Sequence, residues 1–125
     1  MKLNFYCMRD VLLETEKLPL NQSLNSAALH SSLDEKYSSD DVTYSCIKLH
    51  EAGYISARIK SYDNKYIVLS IEDLTVSGHE LLNTIRSDNV WNKTKEKAKS
   101  IGVESIHAVV DIAKAVAAAL IQSVI

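Results

Sequence analysis

Four histidines, two cysteines, the adjacent carboxylates Asp40-Asp41 and Glu72-Asp73 and a scatter of lysines and arginines are the residues of this chain with chemistry to offer. His30, His50, His79 and His107 lie far apart, no two at the helical spacing of a metal site, and no CxxC repeats, so the strong zinc signatures are missing. Cys46 and His50 stand four residues apart and would put two ligands on one helical face. A structural zinc wants four, and the pair reads as a core thiol beside a rim imidazole. Asp40-Asp41 suits a helix N-terminus and Glu72-Asp73 a strand-to-helix turn. General acid/base work would also require a pocket around them. No serine stands in a nucleophile elbow. Gly53, Gly78 and Gly102 each fall at a helix boundary rather than in a phosphate-cradling loop. No catalytic residue, metal ligand or cofactor is assigned, and the expectation is a protein that is not an enzyme. What remains is Thr43, Tyr44, Ile47 and Lys48 in one segment and Arg58, Lys60 and Lys65 in the next. Hydrogen-bonding and cationic side chains of this kind recognise a polyanion.

Those residues need elements to carry them. Phe5, Met8, Leu12 and Thr15, flanked by Val11 and Leu13, recur at helical spacing until Pro19 forbids continuation. From Leu20 to Tyr37 the pattern is least readable: Ser26 would cap a short helix carrying Ala28, Leu29 and Leu33, while the serines and asparagines equally suit a loop. Ser38-Ser39-Asp40-Asp41 opens a clearer helix, with a hydroxyl cap and two carboxylates on the positive end of the dipole. Val42, Cys46 and Leu49 form its buried face, and Gly53 stands where a left-handed C-terminal cap is needed. Ile55, Ala57 and Ile59, then Ile67, Leu69 and Ile71, alternate around the turn Tyr62-Asp63-Asn64, the pattern of a hairpin with one buried face. Ser77 and Glu80 have capping-box spacing ahead of Leu81, Leu82 and Ile85.

After a break at Arg86-Ser87-Asp88-Asn89, a helix over 89–100 carries Val90, Thr94 and Ala98 on one side with Trp91 beside them. Lys93, Lys95, Lys97 and Lys99 cover its remaining surface, and Gly102 closes it. The last helix, 105–124, has an apolar stripe of Ile106, Val109, Val110, Ala113, Val116, Ala117, Leu120, Ile121 and Val124, wider than one packing face needs. Asp111 and Lys114 interrupt it, so it falls short of the roughly 18 to 20 uninterrupted apolar residues of a membrane span. No membrane association is expected.

Composition agrees with an ordered fold. The chain has 125 residues, 46% hydrophobic and 24% charged, enough for one core or one small domain with an extension. The N-terminus lacks the pattern of a signal peptide, and Cys7 and Cys46 lie inside helical segments, which suits reduced, packed thiols and a cytoplasmic protein. The net charge of −2 is divided unevenly: residues 1–85 hold 8 Lys+Arg against 12 Asp+Glu, and residues 86–125 hold 6 against 4. Dedicated duplex binders usually carry a basic surplus, so this balance counts against strong nonspecific affinity for DNA.

Two strings add a resemblance. Leu49-His50-Glu51-Ala52-Gly53-Tyr54-Ile55 resembles the exit from the recognition helix of bacterial winged-helix regulators, and Leu74-Thr75-Val76-Ser77-Gly78-His79-Glu80-Leu81-Leu82 resembles the entry to the helix after the wing. Together with Ile85-Arg86-Ser87-Asp88-Asn89-Val90-Trp91-Asn92-Lys93, the second string is similar to the phage and prophage family of domain of unknown function number 2513. The resemblance implies a winged-helix-like front and a small protein of a bacterial mobile element; it brings no site residues to transfer. The expected architecture is α+β and mostly helical, a winged helix-turn-helix over 1–85 followed by a two-helix extension over 86–125.

Three functional expectations follow. In the first, the protein is a winged-helix regulator that binds DNA: Thr43, Tyr44, Ile47 and Lys48 meet the major groove while Arg58, Lys60 and Lys65 hold phosphates. Asp40 and Asp41 oppose this, since they sit at the helix end that would enter the groove. In the second, the acidic front, with Asp40 and Asp41, engages a host nucleic-acid-processing protein. The third, compatible with either, is a homodimer through the last helix, where Ala113, Ala117 and Ala118 allow close packing; its alternative is packing back on the first helix of the same chain.

Overall fold

The computed structural model describes residues 1–124. The protein is α+β and mostly helical, with six helices and a three-stranded antiparallel sheet among the described residues. It forms two compact units, one of Met1 and Leu3–His79, the other of Lys2 and the chain from Glu80 onward. Ile125 lies outside the described residues, as does the side chain of Val124.

In the first unit, α1 (Phe5–Glu16) starts at Asn4, whose side chain accepts from the Cys7 N–H, and buries Cys7, Met8, Val11, Leu12 and Thr15. Thr15 is tolerated there because its hydroxyl donates back to the Val11 carbonyl at 2.7 Å. The segment that resists reading from sequence holds two elements. A two-residue strand β1 (Leu24–Asn25) is followed at once by α2 (Ser26–Leu33). The cap of α2 is Asn25, which accepts from the Ala28 N–H at 2.8 Å, rather than Ser26. The helix α3 (Ser39–Glu51) is capped by Ser38, which accepts from the Asp41 N–H at 3.1 Å. It ends in a Schellman arrangement: Gly53 takes φ 82° and Tyr54 N donates to the Leu49 carbonyl at 2.9 Å. Its buried face of Val42, Ser45, Cys46 and Leu49 packs on α1 and on the sheet.

The strands β2 (Ile55–Tyr62) and β3 (Lys65–Leu74) form the expected hairpin, and β3 is central in the order β1-β3-β2. Asp63 and Asn64 both have positive φ, 47° and 61°, the type I′ turn whose twist matches that of its strands. One expectation fails in β3. The buried residues are Val68, Ile71 and Leu74, while Ile67 is 46% exposed and Leu69 38%. Pairing steps from Ser56↔Asp73 to Ala57↔Ile71 and from Arg58↔Ser70 to Ile59↔Val68. Each step leaves one β3 residue unpaired, Glu72 and then Leu69, and each bulge resets which residues face inward. Strict alternation of Ile67, Leu69 and Ile71 is thereby broken.

The helix α4 (Val76–Ile85) is capped by Thr75, not Ser77: Thr75 Oγ1 accepts from Gly78 N at 3.0 Å and donates to the Gly53 carbonyl at 2.5 Å. One hydroxyl thus ties the end of α3 to the start of α4. Gly78 is required by close approach, since a Cβ there would lie 1.9 Å from the Tyr54 carbonyl oxygen.

In the second unit α5 (Asp88–Ile101) packs on α6 (Ile106–Val124). α5 is capped by Ser87, closes at Gly102 with φ 83°, and buries Val90, Trp91, Thr94 and Ala98. In α6, Val109, Val110, Ala113 and Val116 are buried, whereas Ile121 is 62% exposed. By length and composition Ile106–Ser123 does reach what a membrane crossing needs, with mean hydropathy 1.4 and only 22% of it buried in the chain, despite Asp111 and Lys114. The stripe is wider than its neighbour covers, as its sequence indicated.

Candidate nucleic-acid interface

Two surfaces of the first unit carry the residues singled out by their chemistry, and they differ in how far their charge is already spent. On α3 the spacing of three and four residues stacks Tyr44, Lys48 and Glu51 along one face. Lys48 Nζ lies 5.3 Å from the centroid of the Tyr44 ring and donates to Glu51 Oε2 at 2.9 Å. The Glu51 hydrogen bond holds the Lys48 ammonium above its ordinary pKa. Its charge is therefore fixed but matched. Thr43 and Ile47 are half-buried, and Thr43 Oγ1 is 3.5 Å from His30 Nε2 on α2. At the start of the same helix Asp40 is exposed and Asp41 half-buried. A helix presenting two carboxylates and one neutralised lysine has little to attract phosphate.

The hairpin is the opposite case. Arg58, Lys60 and Tyr62 alternate along β2 and so share one face, and their cross-strand partners are Ser70, Ile67 and Lys65. All of residues 60–67 are exposed, because β1 covers β3 only at Ser70 and Ile71 and leaves the outer part of the hairpin as a two-stranded ribbon. Among the described residues no carboxylate is within ion-pairing distance of Arg58, Lys60 or Lys65. The face thus joins three unmatched cations to an exposed phenol, Tyr62 at 68%, and to Ile67. Tyr62 and Ile67 are the members that sequence reasoning passed over. By spacing alone Tyr62 belongs to the turn and Ile67 to the core, and only the cross-strand register places them beside the cations.

The candidate metal pair is not brought to one open site: Cys46 is fully buried, whereas His50 is exposed and its Nδ1 accepts from the Ala57 N–H at 3.3 Å. Cys7 and Cys46 are both free and buried. Burial pushes the Cys46 thiol up to about 12 and raises Cys7 as well. Neither is a nucleophile at neutral pH.

Comparison with known proteins adds kinship. Residues 2–104 match the family described as Hypothetical protein (DUF2513). An uncharacterized protein of Haemophilus influenzae is 35% identical over 118 residues, which covers 93% of this chain and 95% of that protein. No solved structure matches the chain significantly.

Proposed function

The chain belongs to the DUF2513 family, and from the surface of its first unit we propose that it is a non-catalytic nucleic-acid-binding protein of the winged helix-turn-helix type. The topology supports the winged-helix reading: α1, β1, α2, α3 and a β2–β3 hairpin follow in that order, with β3 between β1 and β2. In it α2 and α3 are the helix-turn-helix pair and the hairpin is the wing. The observation that carries the function is the wing face, where Arg58, Lys60 and Lys65 stand exposed without a carboxylate partner while Lys48 on α3 is taken by Glu51. Unmatched cations on a protruding ribbon gain counterion-release energy from phosphates, and a paired lysine gains much less. The wing leads and α3 contributes Thr43 and Tyr44 at most.

The test is fluorescence anisotropy of labelled oligonucleotides against the wild type and the triple variant Arg58→Ala/Lys60→Ala/Lys65→Ala at low salt. The triple variant is expected to lose at least about tenfold in affinity, and an unchanged affinity would overturn the reading. A protein contact through Asp40 and Asp41 is the second reading, favoured by their place at the exposed start of α3. It predicts that Asp40→Lys/Asp41→Lys abolishes capture of a protein from a bacterial host and leaves oligonucleotide binding intact. Self-association through α6 accompanies either reading, supported by the exposure of Ile121 beside Ala117, Leu120 and Val90 around one groove.

A further inference from the structure

We propose that the wing face is built for single-stranded rather than duplex nucleic acid, with Tyr62 as a stacking platform for a base and Arg58, Lys60 and Lys65 following the backbone. This rests on the reading of the protein as a nucleic-acid binder and names the form of the partner. The register is the first argument. The pairs Tyr62↔Lys65, Lys60↔Ile67 and Arg58↔Ser70 put an aromatic ring, an aliphatic side chain and three cations on one exposed surface. Tyr62 is 68% exposed and Ile67 46%, and the bulge that leaves Leu69 unpaired and 38% exposed adds apolar area beside them. Water-exposed apolar groups set among unmatched cations fit a polyanion that itself has apolar faces to bury. A single strand has them, because its bases are unstacked and every base offers a π-face. A duplex hides those faces and offers phosphates and groove edges.

The second argument is α3. A winged-helix protein that reads duplex places this helix in the major groove. Here its N-terminal turn carries Asp40 and Asp41, and Lys48 is held by Glu51 at 2.9 Å and lies over Tyr44. Entry into a groove walled by phosphates would bring like charges together. The ribbon needs no such entry, since its outer face and turn are open to solvent.

The experiment uses the full chain and two fluorescein-labelled probes, a deoxythymidine oligomer of about 15 nucleotides and a mixed-sequence duplex of equal length, read by anisotropy at low salt. The expected result is at least about tenfold tighter binding of the single strand. Tyr62→Ala should weaken it by roughly 5- to 150-fold, and Tyr62→Phe should restore it, as stacking of one base requires. Circular dichroism and thermal unfolding of the Tyr62 variants check that this exposed position leaves the fold intact. Equal or tighter duplex binding, or single-strand binding indifferent to Tyr62→Ala, overturns the single-strand assignment. In that case continued weakening by the triple cation variant leaves the broader nucleic-acid reading standing. Binding of neither probe overturns both.

Discussion

Cys46 shows at the scale of one residue how position sets chemistry. It is fully buried on α3, and desolvation disfavours the thiolate, so its pKa rises from an ordinary 9.0 to about 12. The proton is bound more tightly in the folded state, so the stabilisation is complete below pH about 9 and is lost progressively as pH rises toward 12. Unfolding midpoints in denaturant should therefore fall steadily above pH 9 in wild type and less steeply in Cys46→Ala, whose own stability is lowered by the cavity. At pH 7 an aromatic disulfide reagent should leave both thiols unmodified until denaturant is added. Rapid modification of the native protein would contradict the buried placement of Cys7 and Cys46. Ser45 is the neighbouring exception, a buried hydroxyl beside Cys7 without the geometry of a full hydrogen bond. Thr15 and Thr94 solve the same problem by bonding back to Val11 and Val90.

Between residue and molecule stand elements whose faces are either used or left over. α1 and α3 bury their apolar faces, and each is started by a side-chain cap, Asn4 and Ser38, that satisfies a free backbone N–H. α6 is different. Val109, Val110, Ala113 and Val116 are buried, but the next turns of the same stripe, through Ala117, Leu120 and Ile121, are not sealed. Ala117, Leu120 and Ile121 border a groove with Val90, Asn83, Thr84 and Ser87. If a second copy covers this face, light scattering at rising concentration gives a dimer, and Leu120→Glu/Ile121→Glu returns a folded monomer with unchanged far-ultraviolet circular dichroism. A wild-type protein that stays monomeric at high concentration refutes the dimer. Partition of the wild type, and not of that variant, onto lipid vesicles would assign the face to a membrane surface instead.

For the molecule as a whole, charge is the governing quantity. A chain of net charge −2 with an acidic majority before residue 86 has no long-range field to draw nucleic acid in. On the proposed reading, binding comes from the local cations of the β2–β3 hairpin, Arg58, Lys60 and Lys65. Three phosphate contacts to a single strand give a log–log salt slope of about −2, since each contributes about −0.7. A slope several times steeper in salt titrations would mean that further cations join the contact. Charge also explains how much of the site was legible. Arg58, Lys60 and Lys65 are visible as cations on an alternating segment, and the caps at Ser38 and Gly53 follow from spacing alone. The fate of Lys48 was not visible, because a lysine three residues before a glutamate on a helix pairs only when both rotamers point along that face.

The family, the α+β class, the hairpin turn and the positions of α1, α3, α5 and α6 were determined by the sequence itself. Such features depend on neighbours within a few positions: a cap on a hydroxyl beside free N–H groups, a turn on residues that tolerate positive φ, a helix on the 3.6-residue period. The strand β1, the two bulges in β3 and the outward turn of Ile67 were decided only by tertiary structure. A two-residue strand has too few positions to show a period. A bulge depends on the partner strand, since one unpaired residue on β3 resets the inward face of every residue beyond it. The turn register sets Tyr62↔Lys65 and Lys60↔Ile67 on one face, and the unpaired Leu69 is what lets Ile67 face outward while Ile71 faces inward.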